Sequence, residues 1–132
     1  MPVVFVSALL GGAGVLHFVS PDFFDSMVPE WMPGPPRAIT YLSGAAELTA
    51  AALVARPRTR RVGGLVALGT FVVVFPANIW AALEGGMEGA EPPFDSATAA
   101  WIRLPFQVPM IWAAYLVHRD APRPVVSAEP GC

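Results

Sequence analysis

The sequence predicts an all-α fold, a four-transmembrane-helix bundle with a short interfacial helix after the first span. Three observations predict it. Of the 132 residues, 55% are hydrophobic and only 14% are charged, whereas soluble domains carry roughly 25% charged residues. Four apolar stretches approach the ~20 residues that a helix needs to cross a bilayer. Five polar side chains, His17, Glu47, Asn78, Arg103 and Gln107, interrupt those stretches, with at least one in each.

The first stretch covers residues 3–19, VVFVSALLGGAGVLHFV. It has no charged leading region, and His17 and Phe18 stand where a cleavage site of small residues would be expected, so it is expected to be retained as a span rather than removed as a signal peptide. The second, residues 38–55, is the least apolar, because Thr40, Ser43, Glu47 and Thr49 lie in it; alanine and leucine otherwise dominate it. The third covers residues 62–83 and contains Pro76. The fourth covers residues 99–117 and contains Pro105 and Pro109. Residues 1–120 are expected to form one membrane domain, and residues 121–132 a cytoplasmic disordered tail.

Orientation follows from arginine, since membrane proteins keep Lys and Arg near span ends on the cytoplasmic side. The loop RPRTRR holds Arg56, Arg58, Arg60 and Arg61, and the tail adds Arg119 and Arg123. The loop after the first span holds only Arg37. The loop after the third holds none, and has Glu84, Glu88, Glu91 and Asp95 instead. Both termini and the RPRTRR loop are therefore expected in the cytoplasm of a bacterial inner membrane, with the two longer loops outside.

Those outer loops differ. Residues 20–37, SPDFFDSMVPEWMPGPPR, are rich in large apolar groups. Ser20 can cap a short helix with Pro21 at its first position. Phe23, Phe24, Met27, Val28 and Trp31 then give it an apolar face. It reads either as a strap over the outer mouth of the bundle or as a simple interfacial anchor. Residues 85–98 read as an acidic loop, with Asp95 or Ser96 capping the fourth span.

Small residues allow the spans to approach. Lipid offers no hydrophobic drive for helix association, so close backbone contact supplies dispersion instead. Gly11, Gly12, Gly14, Gly44, Gly63, Gly64 and Gly69 are placed for that role. Trp31, Tyr41, Trp80 and Trp101 fall at the outer boundary, and Trp112 and Tyr115 nearer the inner one, as an aromatic belt requires.

The five polar residues fall at similar depths. At ~1.5 Å per residue, His17 lies roughly 3–5 Å from the outer end of its span and Glu47 about 13 Å below the outer start of the second. Asn78 is about 8 Å deep, Arg103 about 6 Å and Gln107 about 12 Å. Each also has a purely structural reading. His17 fits the headgroup region, and Asn78 and Gln107 can satisfy carbonyls released by nearby prolines. Glu47 and Arg103 can form a register-fixing ion pair. As the only formal charges well inside the spans, they are expected within salt-bridge or one-water distance, with Asn78 and Gln107 completing the set. Convergence at one level favours a shared, outward-facing pocket.

Other chemistry is poorly supplied. Net charge −2 gives no basic surface for nucleic acid. One in-span His and one Glu are too few ligands for a metal site. Cys132, the single cysteine and last residue, cannot form an internal disulfide or a prenylation box.

GVLHFVSPDFF, YLSGAAELTAAAL, the basic RPRTRR turn, VVFPANIWAAL and IRLPFQVPMIWAAY, taken in order over about residues 5–116, resemble the DoxX-like family of small bacterial membrane proteins. The resemblance implies a four-helix integral membrane protein and matches His17, Glu47, Asn78, Arg103 and Gln107 to recurring polar positions. It also implies an accessory role in a membrane redox system. The pocket would then hold a quinone headgroup or small oxyanion, with Arg103 as anion or carbonyl partner and His17 and Glu47 handling protons. No haem pair, cluster motif or nucleotide motif is present, so electrons would need a partner protein. The absence of cysteine from the spans disfavours thiol exchange. A small-solute binder or transporter, as a homo-oligomer, and a structural membrane subunit are the alternatives.

Overall fold

A computed structural model describes residues 1–86, 92, 93 and 95–122. The expected tail beyond residue 122, with Arg123 and Cys132, lies outside the described residues, as do Glu88 and Glu91 of the acidic loop. The described residues are helical: α1 (Pro2–Val19), α2 (Pro21–Asp25), α3 (Pro36–Ala55), α4 (Arg60–Leu83) and α5 (Ala97–Asp120).

Proline sets three helix starts. Pro2, Pro21 and Pro36 occupy the first helical positions of α1, α2 and α3, where the missing N–H costs nothing and the fixed φ already suits a helix. As a result α3 begins two residues before the expected boundary and takes in Arg37. Ser20 joins α1 to α2: its N–H bonds the Leu16 carbonyl at 2.8 Å, and its hydroxyl makes no capping bond. Ser96 does cap α5, accepting from the Ala99 N–H at 3.2 Å.

The tight α3–α4 turn is held by its own polar residues. The last carbonyls of a helix have no internal donors. Here Thr59 Oγ1 donates to Leu53 O at 2.8 Å, and Arg60 Nε donates to Val54 O at 3.0 Å. His118, near the end of α5, closes the same end of the molecule through Nδ1, 2.9 Å from Arg61 O.

The four long helices pack in a ring, α1 on α3, α3 on α4, α4 on α5 and α5 on α1. Neighbours run antiparallel, as the pairs Gly14–Leu48, Gly63–Val54 and Gly64–His118 show. Close approach depends on particular glycines. A Cβ at Gly44 would lie 2.6 Å from His17 Cβ, and one at Gly64 would lie 2.6 Å from the His118 backbone nitrogen. Gly12 and Gly69 face open space and take no part in packing.

Three helices, α1, α3 and α4, are long and apolar enough to cross a membrane. α5 is as long as α4, but Arg103 and Gln107 reduce its apolarity. The hydrophobic core occupies the half of the ring nearest the arginine-rich turn, where Val6, Leu10, Val54, Ala67, Ala114 and Val117 are almost fully buried. Large apolar side chains also cover the outside, among them Val4, Leu42, Val73, Phe106, Val108 and Trp112. That inverted surface suits lipid contact.

Candidate functional site

Toward the α2 end the interior changes from apolar to polar. A cavity of about 220 Å³ opens there, and His17, Glu47, Asn78, Arg103 and Gln107 all line it. The antiparallel ring produces this convergence. His17 sits near the end of α1 and Asn78 near the end of α4, Glu47 lies midway along α3, and Arg103 and Gln107 stand one turn apart on α5. Leu10, Phe71, Phe106 and Met110 form the apolar part of the wall.

His17 and Glu47 stand side by side as the buried His–carboxyl pair of the chamber. His17 is 7% and Glu47 8% exposed. Nδ1 of His17 lies 2.8 Å from the Ala13 carbonyl and 3.2 Å from Glu47 Oε2. Both neighbours are acceptors, so Nδ1 carries a proton. The geometry gives that proton to Ala13, and Glu47 Oε2 accepts no hydrogen bond among the described residues.

Among the described residues no direct salt bridge joins Glu47 to Arg103, although both line the chamber; the group beside the Glu47 carboxyl is His17. Gly44 lets α1 press against α3 one turn before Glu47, which brings His17 alongside the carboxylate. α5 packs on α4 and α1, so Arg103 approaches the chamber from the side opposite α3. Its Nη1 donates to Met27 Sδ at 2.9 Å, and its guanidinium lies 5.9 Å from the Phe23 ring centre.

Gln107 is 2% exposed. Its Nε2 donates to the Phe71 carbonyl of α4 at 3.3 Å, one residue before the carbonyl that Pro76 leaves without its helical donor. This bond fixes the amide orientation, because a carbonyl can only accept. Gln107 Oε1 is therefore the other end, and it is buried without a hydrogen-bond partner among the described residues. Gln107 thus does more than repair a helix: one end ties α5 to α4, and the other presents an acceptor.

The chamber is roofed by α2 and the strap that follows it. Phe24 stacks on His17 with ring centroids 3.6 Å apart and planes 21° apart, and Met27 joins it in lining the chamber. Trp31, expected to share this role, is instead 59% exposed. It follows Pro29, which is buried and turns the chain, so that Trp31 lies outside the roof. Pro29 and Met32 line a second cavity of about 160 Å³ beneath the strap.

A polar latch fastens the roof to α3. Arg37 Nε donates to Asp25 Oδ2 at 2.7 Å, its Nη2 bonds Asp22, and the buried Thr40 hydroxyl donates to Asp25 Oδ1 at 2.5 Å. Partial burial opposes charge on Asp25, but the bonds from Thr40 and Arg37 outweigh it and hold the carboxyl below the usual carboxylate range. Sequence reading placed Thr40 on a polar stripe without finding this partner. The two aspartates of the strap and an arginine at the next helix start were the available signal.

A family model described as Domain of unknown function (DUF8561) matches residues 6–118, and the chain belongs to that family. No curated protein and no solved structure matches the chain.

Proposed function

We propose that this DUF8561 member is a four-span, DoxX-like membrane protein whose outward-facing chamber binds the headgroup of a quinol, as an accessory to a membrane redox partner that handles the electrons. One observation carries the reading. The chamber brings His17, Glu47, Asn78, Arg103 and Gln107 together, and two of its buried oxygens, Glu47 Oε2 and Gln107 Oε1, accept no hydrogen bond among the described residues. Orphaned buried acceptors are costly, so the fitting ligand donates hydrogen bonds. A hydroquinone has two hydroxyls to give and an aromatic ring to set among Phe24, Phe71 and Phe106. A small oxyanion has only acceptors and would meet Glu47 unfavourably.

The outer face of α5 supports its role as the fourth span. Ile102, Phe106, Val108 and Trp112 are all more than half exposed, while Gln107 turns inward. A helix whose polar groups face a bundle interior can sit in lipid despite them. Arginine placement supports cytoplasmic termini. In a Cys132→Ser background, a cysteine at Glu30 should be labelled by an impermeant reagent in intact cells, and one at Arg58 should be protected. The reverse pattern would invert the orientation.

Ligand identity is tested by purifying the protein in mild detergent and extracting bound lipids. Quinone or quinol should co-purify with the wild type and be depleted in Gln107→Leu protein of equal yield. Its absence from both would defeat the reading.

A further inference from the structure

We infer that the second cavity, beneath the strap, seats the first segment of an apolar tail attached to the molecule whose head occupies the chamber. The inference rests on the quinol reading of that chamber, and it makes the ligand a tailed amphiphile rather than a free ring. The two cavities are neighbours with a common wall, since His17, Phe24, Met27, Val74 and Asn78 line both. A tail leaving the chamber for the second cavity would cross this shared wall, past Phe24 and Asn78.

The lining changes along that path. The chamber holds charged and amide groups. The second cavity is walled mainly by Val28, Pro29, Met32, Ile39, Val73 and Ala77. Of its hydroxyls, that of Thr40 is already committed to Asp25. A mostly apolar slot sharing a wall with a polar chamber suits one molecule with a polar head and an apolar tail.

Size sets how much tail fits. An engineered apolar cavity of about 150 Å³ accommodates benzene, six carbons. The second cavity, about 160 Å³, therefore has room for one five-carbon isoprene unit and little more. The rest of the chain has an exit. Val73 lines the cavity yet is 74% exposed on the outer face of α4, beside Val72, also more than half exposed. The slot thus reaches the apolar outside of the helix ring, where lipid would receive the remaining tail.

The test compares two hydroquinones with the same dimethoxy-methyl ring, one without a tail and one with a single isoprene unit. Their Kd values are measured by calorimetry on the full-length protein in one detergent. The wild type should bind the tailed compound at least about tenfold more tightly. Ala77→Leu and Ser43→Leu fill the slot from different helices, and in each the ratio of the two Kd values should fall toward one. These variants also separate slot binding from partition of the tail into detergent, which they would not change. If one variant fails to fold, the other retains the comparison. Equal Kd values in the wild type would overturn the tail site while leaving the head site standing. A tail preference that survives both folded variants would also overturn it. Failure of both compounds to bind the wild type would defeat the quinol reading and the tail site together.

Discussion

The imidazole of His17 lies flat against the ring of Phe24, with centroids 3.6 Å apart. The roof helix thus touches the buried His17–Glu47 pair of the chamber directly. Phe24→Ser should loosen the roof and speed release of a bound hydroquinone by about tenfold, the equivalent of about 1.4 kcal/mol. Trp31→Ser should leave that rate unchanged, because Trp31 stands outside the roof. Stopped-flow displacement of the bound ligand measures both. An equal effect from both variants would reduce the strap to an anchor.

The pairing of His17 with Glu47 predicts strong coupling. Removing one partner of a buried ion pair costs about 3–5 kcal/mol, because the other is left uncompensated. His17→Leu should therefore destabilise the protein more than the double variant His17→Leu/Glu47→Leu. Reversible unfolding in mixed detergent micelles gives the cycle, with an expected coupling of about 0.5–3 kcal/mol. Strict additivity would mean that the two side chains act independently.

The latch predicts a pH response. The Asp25 carboxyl is held below its ordinary range by Thr40 and Arg37. A group with a depressed folded-state pKa stabilises the folded state above its unfolded value, and that contribution is lost as pH falls through the folded value. Hydrogen-exchange protection of residues 21–32, taken relative to the intrinsic rate at each pH, should therefore be high at neutral pH and fall below about pH 4. Asp25→Asn should show the lowered protection already at pH 7. A pH-independent strap would show that the latch does not hold it.

Helix contact should distinguish two glycines of the same helix. Gly64→Ala forces a methyl to within 2.6 Å of the His118 backbone nitrogen. Overpacking of this kind costs about 1–3 kcal/mol. Gly69→Ala meets no atom within 4 Å and should be neutral, or stabilising by up to about 1 kcal/mol through helix propensity. Thermal unfolding in detergent compares them. Equal loss in both would contradict the packing described.

Much of this was legible in the chain. Apolar stretches bounded by proline, arginine and Ser96 located the long helices to within a few residues. Depth counting alone placed the five polar residues at one level, because the rise of a helix is fixed. Their pairing was not legible. Which helices are adjacent in the ring decides that Glu47 meets His17 rather than Arg103, and formal charge does not encode adjacency. Likewise, Trp31 and Phe24 look equivalent as aromatic residues of one loop. Only the turn at buried Pro29 separates the one that roofs the chamber from the one that leaves it. Glycine count also overstated the contacts, since Gly12 and Gly69 meet no neighbour.

The chamber is proposed to select a hydrogen-bond donor through Glu47 and Gln107. Calorimetry with the tail-less ring in its reduced and oxidised forms measures that selection, because the two differ at the hydroxyl protons. A hydrogen bond to a charged group contributes about 1.5–3 kcal/mol. The hydroquinone should therefore bind at least about tenfold more tightly than the quinone, with the difference reduced in Gln107→Leu and Glu47→Gln, and thiosulfate should not compete. Tighter binding of the quinone, or displacement of the hydroquinone by thiosulfate, would contradict the account.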